Sequence, residues 1–137
     1  MAEQRLVIIG VAASDAHAVA NRLITMHLEQ AGFLVVNLGT CTPLTEFAAA
    51  LRRHPDALAI LIGSLNGHAH ADLSDLPRLR AEGELWCPVV VGGNLSVGST
   101  KTGDAERRLA GLGVDHVLHD VVGLIPLLDS LSLKATV

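Results

Sequence analysis

Five short apolar runs most constrain what this chain can fold into: "RLVIIGVAA" (5–13), "FLVVNLG" (33–39), "ALAILIG" (57–63), "PVVVGG" (88–93) and "VDHVL" (114–118). The third shows no alternation of polar and apolar residues, and the first and fourth little. A strand of that kind is buried on both faces, which is the situation in a parallel sheet covered by helices above and below. Between the runs lie segments of helical period. The first, about 18–31, is closed by Gly32 as a left-handed cap. The second (42–54) opens with Thr42 as N-cap and Pro43 at the first helical position, and its apolar face is Leu44, Phe47, Ala48 and Leu51. A third helix is expected near Ser74, with Pro77 in its first turn, where a missing N–H costs little. Residues 102–113 form a helix closed by glycine. Residues 122–131 form a last one with Pro126 early in it, and the chain frays after Leu133.

Strands alternating with helices imply right-handed crossovers. The expectation is therefore a single domain over residues 1–137, of α/β class: a flavodoxin-like (Rossmann-like), doubly wound five-stranded parallel sheet of order 2-1-3-4-5. A chain of 137 residues is long enough to bury a substantial core. Its net charge of −4 argues against a nucleic-acid partner, which would want a basic face. The sequence contains no long apolar span and no signal-like start, so no membrane partner and a cytoplasmic location are expected. Cys41 and Cys87 lack metal-ligand spacing and read as free thiols in a reduced compartment.

In sheets of this order a ligand sits beyond the carboxyl ends of the strands, at the switch point beside strand 1. Three loops converge there: "ASDAH", "GSLNGH" and "GGNLSVGST". The residues of the first leave two readings open. Ser14 or Asp15 can cap the first helix with His17 solvated in its first turn. Alternatively His17 binds a metal through one ring nitrogen while Asp15 fixes the other. In the second loop Gly63, Ser64, Leu65, Asn66 and Gly67 suit either a tight turn or close approach of a ligand to the backbone. In the third, Gly93 and Gly98 have the spacing of a phosphate-binding loop, but Ser99 stands where that motif needs its lysine. A phosphoacceptor domain is disfavoured because strand 3 ends in Gly63 and not in an acid. His68 and His70 lack a third convergent ligand and read as a solvated loop. His27, His54, His116 and His119 read as surface or partly buried residues, and Cys41 as an inert thiol near the ligand edge.

Taken in order, "SDAHAVANRL", "LEQAGFLVVNLG", "GSLNGH" and "VVVGGNLSVG" resemble the cobalamin-binding small subunit of glutamate mutase (methylaspartate mutase). The resemblance runs over about residues 5–118. The family's motif is Asp-x-His-x-x-Gly, then Ser-x-Leu, then Gly-Gly. Asp15 and His17 match its first two positions. The resemblance implies that His17 is the lower axial ligand of cobalt in adenosylcobalamin, a cobalt corrinoid bound base-off, and that Asp15 hydrogen-bonds the imidazole from behind. The motif glycine is Ala20 here. The motif serine is Gly63, with Ser64 beside it to supply the hydroxyl, and Leu65 is kept. Gly92, Gly93 and the adjoining Asn94 would line the slot for the displaced nucleotide tail. The segment "HDVVG" lacks the Pro-Gly turn expected of the family.

The implied activity is that of a two-component isomerase, a radical rearrangement of L-glutamate to 3-methylaspartate. The arginines lie on expected helices or at the start of strand 1, away from the ligand edge. The amino-acid substrate is therefore expected to be held by a large barrel-type partner subunit. The alternative is a stand-alone corrinoid-binding module, a methyl-transfer carrier or a cobalamin sensor. Such modules usually carry a helical domain in front, whereas here the first strand starts by residue 5.

Overall fold

The computed structural model describes residues 5–12, 18–64, 69–92, 102–118 and 121–135. Each apolar run forms a strand: β1 (Arg5–Val11), β2 (Phe33–Asn37), β3 (Ala59–Gly63), β4 (Val89–Gly92) and β5 (His116–Leu118). All neighbours pair in parallel, and the order is β2-β1-β3-β4-β5, as expected from the alternation. The helices are α1 (Ala18–Gln30), α2 (Leu44–Arg53), α3 (Ala69–Asp72), α4 (Leu76–Ala81), α5 (Thr102–Leu112) and α6 (Leu124–Ala135), with a 3-10 turn at Val121–Gly123 leading into the last. Among the described residues no helix is long and apolar enough to cross a membrane.

The two-sided burial follows from the strand period. Val7, Ile9, Ala59, Leu61 and Val90 face one way and pack with Leu28 of α1 and with Leu124, Leu128 and Leu131 of α6. Ile8, Ile60, Ile62, Val89 and Val91 face the other way and pack with Phe47 and Leu51 of α2, Leu76 and Leu79 of α4, and Leu109 of α5. Each fully buried side chain of this size stabilises the fold by roughly 1.5–3 kcal/mol relative to exposure. The ring of Phe47 lies so close over β1 that a Cβ built on Gly10 would stand 2.7 Å from its Cζ. A glycine is therefore needed at that point of the strand for space, not for an unusual φ.

The end of the sheet away from the expected ligand edge is clasped by Arg80. Its guanidinium donates to the carbonyls of Leu85 (3.0 Å), Cys87 (2.8 Å) and Gly113 (2.8 Å) and to Asp115 Oδ2 at 2.6 Å. Asp115 Oδ2 in turn accepts from the Val89 N–H at 2.8 Å. One side chain thus ties α4 to the starts of β4 and β5. At the start of β1, Arg5 lies 4.1 Å from the centre of the Phe33 ring and pairs with Asp129 of α6.

Four local expectations need correction. Thr42 does not cap α2. It pairs with Ala12 in an isolated bridge, and its hydroxyl lies within 3.3–3.4 Å of the carbonyls of Leu38, Gly39 and Thr40. With Thr42 so engaged, Pro43 takes the cap position with no side-chain hydrogen bond. The single helix expected near Ser74 is two short ones, α3 and α4, separated by a turn that contains Ser74, with Pro77 in the first turn of α4. The solvated loop expected at 68–72 is partly helical, because Ala69–Asp72 form α3. The last helix runs on to Ala135 instead of fraying after Leu133.

Candidate functional site

The carboxyl ends of β1, β3 and β4 stop almost flush. In register, Val11 stands beside Gly63, Gly63 beside Gly92, and Gly92 beside Leu118. The two central positions of this last row carry no side chain. Among the described residues a Cβ at Gly63 would make ordinary contacts with the Gly10 carbonyl at 3.9 Å and Val11 Cγ2 at 4.0 Å, whereas one at Gly92 would come 3.4 Å from the Leu118 carbonyl. The backbone beneath is held on each side. Ala12 N donates to the Gly63 carbonyl at 2.9 Å, Ser64 N to the Gly92 carbonyl at 2.9 Å, and Val11 N to the Gly39 carbonyl at 2.8 Å. Small residues on a rigid base are what a flat ligand needs to approach the main chain.

Ser64 sits at the centre of this edge and is fully buried. Among the described residues its hydroxyl has no hydrogen-bond partner. A buried hydroxyl is normally paired, so this one is available to the polar group of a ligand. That orphaned atom beside two positions without side chains fits a ligand that pushes a polar group down between the strand ends.

A second polar group lies at the end of β2. Asn37 Nδ2 donates to Asn21 Oδ1 at 2.7 Å and to Thr25 Oγ1 at 2.9 Å, and Asn37 Oδ1 accepts from Gly39 N at 2.9 Å. These bonds tie the first half of α1 to the carboxyl end of the sheet. Asn21 is 8 % exposed, and its Nδ2 has no partner among the described residues. Neither asparagine was expected from sequence. The available signal was Asn21 itself, a polar residue in the sheet-facing stripe that continues as Ile24 and Leu28 at helical spacing.

Of the residues expected at the site, the structure brings together Gly63, Ser64 and Gly92. Ala20 lies in the first turn of α1. Ser14, Asp15, His17, Leu65, Gly93 and Asn94 lie outside the described residues, as do His68 and His119. Cys41 is exposed and holds a positive φ of 52° in the loop after β2. Cys87 is buried before β4, far along that strand from the glycine row. Burial raises its thiol to about 11, partly offset by the Arg80 charge.

The chain matches the B12 binding domain family over residues 5–118. It is 40 % identical over 131 residues to the glutamate mutase sigma subunit of Halobacterium salinarum, covering 96 % of this chain and 87 % of that one. The chain belongs to the glutamate mutase sigma-subunit family. A second sigma subunit, from Clostridium tetani, is 35 % identical over 138 residues, covering 96 % of this chain and 99 % of that one. Among solved structures, a cobalamin-binding protein from Desulfitobacterium hafniense superimposes with a TM-score of 0.69 at 15 % identity, over 98 % of this chain and 59 % of that one. That likeness carries the fold alone. In a sigma-subunit frame the glycine pair Gly63 and Gly92 and the orphaned Ser64 hydroxyl fall at the carboxyl edge of the sheet, where such a fold takes its ligand.

Proposed function

We propose that this chain is the cofactor-binding subunit of an adenosylcobalamin-dependent glutamate mutase, an isomerase that interconverts L-glutamate and 3-methylaspartate. The observation that carries the reading is the orphaned, buried Ser64 hydroxyl beside the side-chain-free row of Gly63 and Gly92, in a chain of the sigma-subunit family. When bound, adenosylcobalamin supplies the carbon-centred radical that begins the skeletal rearrangement.

The residues of this chain have three tasks. His17 would hold the cobalt of the cofactor, with Asp15 as the carboxylate that would fix its tautomer and orientation. Ser64 offers its hydroxyl to the cofactor's displaced nucleotide tail, in place of the family's serine at the Gly63 position. Gly63, Gly92, Gly93, Ala20, Leu65, Asn94 and Ser14 would complete the cofactor-binding set. The chain works with a larger, barrel-type subunit that would bind the amino acid and keep water from the bound cofactor. The complex acts in the cytoplasm.

The decisive measurement is electron paramagnetic resonance of the protein loaded with cob(II)alamin after labelling its histidines with ¹⁵N. With His17 on cobalt, the axial nitrogen splitting changes from a triplet to a doublet, and the doublet is lost in His17→Ala. A triplet that persists in the labelled protein means that the cofactor keeps its own base, and the assignment of His17 is then wrong.

A further inference from the structure

The orphaned amide of Asn21 is a donor by necessity. Gly39 N needs an acceptor, so Asn37 turns Oδ1 to it and Nδ2 toward α1. Asn21 must then present Oδ1 to Asn37, because the reverse orientation would set two NH2 groups face to face. The orientation of Asn21 therefore follows from the network. Its Nδ2 is the half of the amide that β2 does not engage, and α1 packs on β1 as well as on β2. β1 is the strand next to β2, its end lies beside Gly63, and the second orphan, Ser64, follows Gly63 directly. Asn21 is more than nine-tenths buried, so bulk water does not serve this donor.

We propose that Asn21 Nδ2 is a binding group for the cofactor's nucleotide tail, donating to an oxygen of its phosphodiester. A phosphodiester oxygen only accepts, which matches a group that can only donate. Asn37 is the positioning residue: it saturates its own hydrogen bonds in aiming Asn21. The proposal rests on the cobalamin reading given above and adds a specificity to it. The chain reads the tail of the cofactor as well as the metal, and discriminates corrinoids by whether they carry one.

The test is a pair of spectroscopic titrations, one with hydroxocobalamin and one with diaquacobinamide, which has the same corrin and no nucleotide. Asn21→Asp keeps the size and the oxygen that Asn37 needs, but removes the donor and sets a charge against the phosphate. It is expected to weaken hydroxocobalamin binding by about tenfold, the scale of one hydrogen bond to a charged group, with cobinamide affinity unchanged. Should circular dichroism show that Asn21→Asp is unfolded, Asn21→Ala is titrated with the same two ligands, and the same selective loss is expected. An equal loss for both corrinoids would make Asn21 a brace for α1 only, and no loss for either would also overturn the proposal. A wild-type chain that binds neither corrinoid refutes the cobalamin reading itself, an outcome distinct from a mutant that behaves like wild type.

Discussion

Replacing Gly10 by alanine should destabilise the protein, although the same change in an unobstructed strand should do the reverse. Gly10 has no positive φ, so alanine fits its backbone. Fewer unfolded conformations would then give about 0.4–1 kcal/mol of added stability. Space decides against it. The new Cβ would stand 2.7 Å from Phe47 Cζ, 3.0 Å from Cε1 and 3.4 Å from Leu38 Cβ, whereas carbon atoms in contact prefer roughly 3.5–4.0 Å. Phe47 is fully buried, so its ring can retreat only by displacing α2. Overpacking of this kind costs about 1–3 kcal/mol, and a net loss of about 1–2 kcal/mol is expected. Phe47→Leu alone, which empties the same space, should cost about 1–2 kcal/mol. In the double variant the methyl group occupies volume the ring has left, so the two losses should fall short of their sum by at least about 1 kcal/mol. Urea unfolding of the four proteins, compared at equal m-value, gives the coupling directly. Additivity within about 0.5 kcal/mol, or a stabilising Gly10→Ala, would refute the claim that the ring dictates the glycine.

Two further outcomes follow from the far end of the sheet. Arg80→Met should cost about 2 kcal/mol in urea unfolding. Most of that comes from the three carbonyls left without their donor and little from the ion pair, because Asp115 is 44 % exposed; a loss below about 0.5 kcal/mol would show that water replaces the clasp. Cys87 should make stability depend on alkaline pH: its folded value of about 11 lies above the ordinary 9.0, so the unfolded chain releases the proton first, and its contribution is full below pH 9 and declines as pH rises to 11. The wild type should therefore lose about 2 kcal/mol more than Cys87→Ala between pH 8 and 11, and equal losses would mean that burial does not hold the thiol protonated.

The parts of this fold that can be read from sequence are those set by local pattern. The apolar β3 run implies two covered faces, and the alternation of runs and helical segments implies the strand order. Gly32 ends α1 with a φ of 95°, as its place after a periodic segment suggests. What failed was decided by distant partners. Thr42 has the local character of a cap, but its main chain is claimed by Ala12 and Val11. The Ala69–Asp72 helix has no apolar period to announce it. Gly10 in a strand signals a close approach, yet nothing near it names Phe47. At the site, Gly63, Ser64 and Gly92 could be grouped because each ends a strand. For Asp15 and His17 the residues alone leave a helix cap and a metal ligand with its carboxylate partner open, and only the family resemblance favours the second. The Asn21–Asn37 pair was missed because amide pairing between a helix and a strand end leaves no local signature.

The interior place of β1 has a kinetic consequence. It is hydrogen-bonded to β2 on one edge and to β3 on the other, yet it is the first strand to be synthesised. β2 follows after one helix, but Ala59, the partner of Val7, comes about fifty residues later, or roughly 3–10 s at ordinary elongation rates of about 5–20 residues per second. During that interval the inner edge of "RLVIIGV", which has no charge beyond Arg5, has no strand to pair with and is open to strand addition from another nascent chain. The yield of folded protein is thus expected to depend on how quickly the ribosome crosses the α2 segment, and not only on the equilibrium stability of the finished sheet.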